Sequence, residues 1–249
     1  MFPRTPGLCL SALFLLLAEP SMADLVRVGV ASNFAGPARE LASRYESATG
    51  HQVQLSTAST GKLYAQLIAG APFDVFLAAD ELRPARLTEA GVATENRVYA
   101  LGRLAVVSAD PDLAGADCEK AFLDTPSATV AIANPATAPY GKTAQRWLDA
   151  TAGGARRRVV TGDNVGQAMS FVVSGNARFG VVAVAQLEPV RAGWPGCMGE
   201  LPADSYQPVR QAAAITSGAG PAATGFYEFL FTTEARAMMQ RWGYDPAVD

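Results

Sequence analysis

The stretch Thr57-Ala58-Ser59-Thr60-Gly61-Lys62-Leu63 is a turn between a predicted strand and a predicted helix. It follows a strand-like run over residues 51–55 and precedes a helix-like run over residues 62–69. A helix that begins here leaves the N–H groups of its first turn without partners, and its dipole favours negative charge. Ser59 and Thr60 add hydroxyl donors without adding charge. The turn therefore predicts an anion site, although an ordinary Ser/Thr helix cap gives the same pattern.

Three more turns of this kind occur along the chain, each after a predicted strand and before a predicted helix. They are Ser32-Asn33, residues 134–141, and Gly162-Asp163-Asn164-Val165. Strands that alternate with helices indicate βαβ units and a mostly parallel sheet, whose ligands lie beyond the carboxyl ends of the strands. Four helix N-termini that converge there, with hydroxyl and amide groups and few charges, predict a site for a small oxyanion.

The composition is that of a globular protein with one large or two modest domains. The chain has 249 residues, of which 49% are hydrophobic and 17% charged. Its net charge of -3 gives no indication of a nucleic-acid or membrane-surface partner. Strands are predicted over residues 25–30, 51–55, 74–79, 103–108, 129–133, 159–160, 179–184 and 211–216, and the last two helices over residues 222–231 and 233–243.

Residues 1–23 have the pattern of a secretory signal peptide. Arg4 supplies the positive start, residues 8–18 form a short apolar run, and Ser21-Met22-Ala23 is a small-x-small cleavage motif. The apolar run is too short to cross a bilayer comfortably. Cys9 lies inside this run and not at its end, which argues against a lipid-anchored cysteine. The pattern predicts an exported protein whose mature chain starts at Asp24.

Two cysteines, Cys118 and Cys197, remain after removal of the signal peptide. An even pair in an oxidising compartment favours a disulfide, and two free buried thiols are the alternative. The spacing is not that of a C-x-x-C motif and no histidine stands near either residue, which argues against a metal site.

With the four turns placed, the sequence resembles the family of periplasmic molybdate-binding proteins, the solute receptors of molybdate ABC importers. The resemblance covers essentially all of the mature chain, and the order and spacing of its segments make it specific. The segments are Ala31-Ser32-Asn33, Ser59-Thr60-Gly61-Lys62-Leu63, Gly70-Ala71-Pro72-Phe73-Asp74-Val75-Phe76, residues 134–141, Gly162-Asp163-Asn164-Val165-Gly166-Gln167-Ala168, and residues 171–177 and 206–211.

The resemblance implies an α/β, two-lobed type II periplasmic binding protein fold, each lobe a mostly parallel sheet flanked by helices. Lobe one would comprise residues 24–101 plus 211–249, and lobe two residues 102–210. The two crossovers would form a hinge near Ala100-Leu101-Gly102 and Pro208-Val209-Arg210. The implied function is the high-affinity binding of molybdate and tungstate in the periplasm and delivery to the permease of an ABC importer, by a monomer without cofactor or enzymatic activity.

The resemblance also implies which residues bind the anion. The family's contacts fall on Asn33, Thr60, Tyr140 and Val165, with Ser32 and Ser59 as adjacent donors, and Val165 would act through its backbone N–H. Some members of the family carry a tyrosine donor at the position of Ala183, which cannot serve here. Others carry a tyrosine in the third turn and an asparagine in the first, as this chain does.

An enzyme is the main alternative from another functional class. Ser32 or Ser59 would be the nucleophile, and the one histidine in the sequence, His51, would have to be the base. His51 stands at a strand start, where a solvated surface position is expected, and the sequence has no Gly-x-Ser-x-Gly motif.

A binding protein for another anion is the second alternative. Carboxylate ligands favour a bidentate Arg, and none of the four turns contains one; Lys62 is their only cation. A site made of donors suits a fully ionised tetrahedral dianion, so sulfate is disfavoured only by size and phosphate by its remaining proton.

Three charged features allow two interpretations each. Asp74 and Asp163 are either gatekeepers or acid/base groups at the site, or they cap turns in the ordinary way. The run Arg156-Arg157-Arg158 either attracts anions by its field or lies solvated in a loop.

Overall fold

The computed structural model describes residues 24–151 and 157–247. The signal-peptide prediction lies outside the described residues. The strands are β1 Leu25–Ala31, β2 Gln52–Ala58, β3 Val75–Leu77, β4 Ala93–Gly102, β5 Leu104–Ser108, β6 Thr129–Ala133, β7 Arg158–Gly162, β8 Phe179–Ala183, β9 Cys197–Glu200, β10 Val209–Thr216 and β11 Asp245–Pro246. The helices are α1 Ala35–Thr49, α2 Thr60–Ile68, α3 Leu82–Glu89, α4 Cys118–Leu123, α5 Pro139–Thr151, α6 Val165–Val173, α7 Pro221–Phe229 and α8 Thr233–Arg241.

The strands form two separate sheets, which define two lobes. The sheet of lobe one has the order β11-β4-β10-β3-β1-β2, and the sheet of lobe two has the order β7-β6-β8-β5-β9. The chain therefore builds most of lobe one, crosses to lobe two after β4, and returns through β10. This is the two-lobed α/β fold that the sequence predicts. The boundaries at residues 101 and 211 stay a prediction, since β4 and β10 extend across them.

The expectation that each sheet is mostly parallel needs a correction. Parallel pairs join β1 to β2 and β3, and β6 to β7 and β8. Antiparallel pairs join β10 to β3 and β4, β11 to β4, and β5 to β8 and β9. The physical reason is the double crossover: strands that carry the chain out of a lobe and back again run in opposite directions. Both sheets are therefore mixed.

Each lobe has its own apolar core. In lobe one, alternate residues of β1 and β3 face opposite sides, so Val28 and Val75 pack under α1 and α7 while Phe76 packs against Leu63 and Leu87 of the other layer. This alternation is the ordinary consequence of strand geometry. In lobe two, the strands pack around a cluster of large aromatic side chains, which are Phe122, Trp147 and Phe179.

A disulfide joins Cys118 at the start of α4 to Cys197 at the start of β9. Their Cα atoms lie 5.2 Å apart and the two residues are separated by 79 positions in the sequence. The bond therefore closes a long loop within lobe two, and a loop closure of this kind stabilises a fold by about 2–4 kcal/mol. It also attaches β9, a short edge strand, to the helix beside it.

Over the described ranges 24–151 and 157–247, no helix is both long enough and apolar enough to cross a membrane.

Candidate functional site

The four predicted turns meet around one small cavity between the lobes. Its lining residues are Ala31, Ser32, Asn33, Ser59, Thr60, Ala79, Ala138, Pro139, Tyr140 and Val165. All six residues that the sequence singles out as ligand-binding are among them. The cavity has a volume of about 10 Å³, and such a space holds about one water-sized sphere. The lobes are therefore closed tightly around it, and the lining residues must move apart to admit a five-atom oxyanion.

In the first turn, the Asn33 side chain is occupied by other residues, and its backbone N–H is left without an acceptor among the described residues. A short 3₁₀ turn, Ser32–Phe34, follows β1 directly. The Asn33 side-chain amide lies 2.6 Å from Gln211 Oε1 and 3.1 Å from the Tyr244 hydroxyl, and it donates to both. An amide has only two hydrogens to donate, so this side chain has none left for an anion. Its backbone N–H is the available donor, because no described residue accepts it.

The second turn has two buried hydroxyls that differ in their partners. Ser59 precedes α2 but makes no side-chain cap, and no described residue hydrogen-bonds to its Oγ, which is buried. This argues against the ordinary cap that the sequence left open, since a capping serine would bind the helix N–H groups. Thr60 Oγ1 accepts a hydrogen bond from the Ala79 N–H at 3.1 Å, which leaves its own hydrogen free to donate.

The third turn places Tyr140 in the first turn of α5, just after Pro139. Its hydroxyl points toward β4 and β10, the two strands that connect the lobes, and accepts a 3.4 Å hydrogen bond from Gln211 Nε2. Burial, with a smaller contribution from Tyr244, raises the pKa of Tyr140 well above its ordinary value, so the hydroxyl stays protonated. The N–H of Tyr140 has no acceptor among the described residues, as is normal in the first turn of a helix.

The fourth turn holds the Val165 peptide from both sides. Asn164 caps α6 by accepting a hydrogen bond from the Gln167 N–H at 3.1 Å. Gln186 Nε2 donates to the Val165 carbonyl at 3.1 Å, while Gln186 Oε1 accepts from the Ala183 N–H. The Val165 N–H is thus fixed in direction at the start of α6. Ala183, at the position where some family members carry a tyrosine, is buried next to Gln186.

The cavity itself carries no formal charge, and nearby charges are directed elsewhere. Within the described part of the chain, the ten lining residues include no Asp, Glu, Lys or Arg. Asp74 accepts a hydrogen bond at 2.7 Å from the N–H of Arg27 in β1, 47 positions away, so it neither lines the cavity nor caps its own turn. Asp163 forms a 2.7 Å ion pair with Lys62 across the cleft. Both groups of this pair are largely exposed, so it contributes at most about 1 kcal/mol.

The arginine run divides between described and undescribed residues. Arg156 lies outside the described ranges. Arg157 stacks over the Phe122 ring at 3.8 Å and donates to the Thr125 carbonyl, and Arg158 is the first residue of β7. Arg157 is therefore a half-buried packing residue of lobe two.

The lobes touch directly at the edge of the cavity. The Gly61 N–H of lobe one donates to the Thr137 carbonyl of lobe two at 2.8 Å. A Cβ at position 61 would lie 2.9 Å from that carbonyl oxygen, so only glycine allows this approach. The contact closes the cleft over the four turns.

His51 does not reach the serines of the site. It precedes β2, whose opposite end leads to Ser59, and seven strand residues separate the two by about 20 Å. His51 Nδ1 accepts a hydrogen bond from the Asp24 N–H and its ring stacks on Tyr45. The base that the enzyme alternative requires is therefore remote from both candidate nucleophiles.

Sequence reasoning missed Gln186 and Gln211, which hold site residues without lining the cavity. Gln211 is the third residue of β10, and the four residues that follow it are all buried and apolar. A single amide in such a strand indicates a side chain that holds other polar groups, because an amide is buried only with hydrogen-bond partners. Gln186 follows a buried strand and has no comparable pattern.

A two-lobed α/β fold whose helix N-termini meet at an uncharged interlobe cavity defines the class of solute-binding proteins. The chain belongs to the bacterial extracellular solute-binding protein family, whose model matches residues 26–245. Among the proteins that it is similar to, several are named for one solute, molybdate.

Two of its relatives are molybdate-binding proteins. The chain is 37% identical to molybdate-binding protein ModA of Rhodobacter capsulatus, over 98% of each chain. It is 40% identical to ModA of Azotobacter vinelandii, over 92% of this chain and 93% of that protein. The solved structure of the periplasmic molybdate-binding protein of Azotobacter vinelandii superposes with a TM-score of 0.79, at 34% identity, over 90% of this chain and all of that one.

Proposed function

We propose that this protein binds molybdate, and also tungstate, outside the cytoplasm and delivers it to an ABC importer. The observation that supports this most directly is the Ser59 hydroxyl, a buried donor that no described residue satisfies, in a cavity lined by all six predicted residues. An orphaned buried hydroxyl costs free energy unless a ligand completes it. Relatives over 35% identical along nearly the whole chain carry the name of a molybdate-binding protein.

The chemistry of the cavity favours a fully ionised tetrahedral dianion. Its available groups are hydroxyls and backbone N–H groups, which donate to oxygen. Phosphate near neutral pH keeps a proton that needs an acceptor, and neither Asp74 nor Asp163 lines the cavity to supply one. Leaving that proton unpaired costs about 1–3 kcal/mol, or roughly tenfold to hundredfold in affinity. Sulfate has the right charge, and only its smaller size weakens it.

The anion-binding residues in this proposal are Ser32, Asn33, Ser59, Thr60, Tyr140 and Val165. Asn33, Tyr140 and Val165 would act through their backbone N–H groups, and the serines and Thr60 through their hydroxyls. The proposal also includes a periplasmic monomer released by cleavage after Ala23. Mass spectrometry of the exported protein checks this last point, since a retained Met1 contradicts it.

Isothermal titration of one protein sample with molybdate, tungstate, sulfate and phosphate tests the proposal. We expect molybdate and tungstate to bind most tightly, sulfate much more weakly and phosphate weakest. Phosphate that binds as tightly as molybdate would contradict a cavity of donors alone. Sulfate that binds more tightly than molybdate would make the protein a receptor for the smaller oxyanion.

A further inference from the structure

Gln211 is a fully buried amide at the point where the chain returns from lobe two to lobe one. Its backbone pairs with Ala100 of β4, and a register shift separates it from Ala212. Taking an amide out of water is costly unless its hydrogen bonds are replaced. The contacts of this side chain therefore have a structural or functional reason.

Those contacts join the two lobes. Gln211 Oε1 accepts from the Asn33 side-chain amide of lobe one at 2.6 Å, and it lies 3.2 Å from the Tyr99 hydroxyl. Gln211 Nε2 donates to the Tyr140 hydroxyl of lobe two at 3.4 Å. Asn33 and Tyr140 are two of the residues whose backbone N–H groups are available at the cavity. Gln211 itself is not among the lining residues.

Gly102 and Tyr244 accommodate this arrangement. A Cβ at Gly102, the last residue of β4, would lie 1.9 Å from the Tyr140 hydroxyl and 2.7 Å from Gln211 Nε2. Glycine at this position leaves the space that the hydroxyl occupies. On the lobe-one side, the Tyr244 hydroxyl donates to the Asn33 backbone carbonyl at 2.9 Å and accepts from the Asn33 side-chain amide, so it holds both groups in place.

We propose that Gln211 is a positioning residue that sets the spacing between the N–H donors of Asn33 and Tyr140, and so the size of the anion that both can reach. It acts through the side chains of those residues and makes no contact with the anion. This rests on the proposed function, because it assigns to Gln211 the size selection between molybdate and sulfate. Without the Gln211 hydrogen bonds, the N–H groups of Asn33 and Tyr140 would be held less firmly at the spacing that fits molybdate, the larger tetrahedral anion.

The test is a double-mutant cycle of Gln211→Met and Tyr140→Phe, titrated with molybdate and with sulfate. Methionine fills similar volume without hydrogen bonds, and phenylalanine removes the hydroxyl but keeps the backbone N–H. We expect each single variant to weaken molybdate about tenfold and to lower the ratio of sulfate Kd to molybdate Kd. Both substitutions remove the hydrogen bond between Gln211 and Tyr140. The double variant should therefore bind molybdate no more weakly than the weaker-binding of the two single variants.

Tyr227→Phe is the matched control, since it removes another buried hydroxyl, one that no described residue hydrogen-bonds, from the core of lobe one. It should bind both anions as the native chain does. If Gln211→Met does not fold, Tyr140→Phe tests the same link from lobe two.

Three results would overturn the inference. The first is native molybdate affinity in Gln211→Met, and the second is an equal weakening of both anions with a lower melting temperature, which is what a merely structural amide would give. The third is additivity of the two substitutions, which would mean that the Tyr140 hydroxyl acts independently of Gln211. A native chain that binds sulfate in preference to molybdate refutes the proposed function separately, and the cycle then reports on sulfate. A native chain that binds none of the four oxyanions overturns both.

Discussion

Replacement of Ser59 by alanine should separate ligand binding from folding. In the structure the Ser59 Oγ is buried and no described residue hydrogen-bonds to it, so the substitution removes no intramolecular hydrogen bond. Ser59 also makes no side-chain cap on α2, so the helix does not lose one. The ligand-free variant should therefore be as stable as the native protein, or slightly more stable, because a buried unpaired hydroxyl is destabilising.

Binding should respond differently. A hydrogen bond to a charged group contributes about 1.5–3 kcal/mol, which corresponds to roughly a tenfold to hundredfold loss of molybdate affinity in Ser59→Ala. Thr60→Val is the contrasting substitution. It removes a hydroxyl that also accepts from the Ala79 N–H at 3.1 Å, so it should lower both affinity and ligand-free stability.

The assay combines isothermal titration with thermal unfolding of the ligand-free protein. Ser47→Ala, on the exposed side of α1, serves as the control, since its Oγ donates only to a carbonyl of its own helix. An unchanged molybdate Kd in Ser59→Ala would refute the assignment of this hydroxyl to the anion. A large loss of ligand-free stability would show that Ser59 Oγ has a partner in the folded chain and would refute the structural premise.

Two further predictions concern closure and pH. Gly61→Ala should weaken molybdate binding, because a Cβ would meet the Thr137 backbone at 2.9 Å and keep the lobes apart. Small-angle scattering at saturating molybdate should then give a larger radius of gyration than for the native protein. Gly218→Ala, where a Cβ meets nothing, is the control and should change neither. Stability should fall as pH rises above about 10, by up to about 1.4 kcal/mol per pH unit for each buried tyrosine whose pKa is raised by burial, because the unfolded chain then loses protons that the folded chain keeps. Denaturant midpoints at pH 9 to 11 check this, and a flat profile contradicts it; the tyrosines are Tyr99, Tyr140 and Tyr244.

The convergence of the four turns was predictable from sequence because it follows from topology. The carboxyl ends of β1 and β2, and of β6 and β7, meet the same cleft, so polar residues placed after them must come together. Local pattern is enough to place such turns. The strand β4 was not predicted, because residues 94–97 in its first half are polar and charged, and they form a strand through their pairing with β10.

The donor atoms at the site were less predictable than the residues. Asn33 and Tyr140 look like side-chain donors in the sequence, yet both side chains meet Gln211, and we assign their backbone N–H groups to the cavity. Gln211 is 178 positions from Asn33 and 71 from Tyr140, so no local pattern connects them. Which atom of a residue meets the ligand depends on these distant partners.

If the proposed residues bind the anion, the division of donors between the lobes makes closure and binding one event. In the proposed site, lobe one supplies Ser32, Asn33, Ser59 and Thr60, and lobe two supplies Tyr140 and Val165. An anion bound to lobe one alone would lack two charge-assisted hydrogen bonds, which together contribute about 3–6 kcal/mol. A difference of about 5.5 kcal/mol is enough to move a two-state equilibrium from 1:99 to 99:1. Only at the upper end of that range would the two N–H groups of lobe two convert an open receptor into a closed one by themselves. The exposed Lys62–Asp163 pair, at no more than about 1 kcal/mol, assists closure without causing it in the absence of ligand.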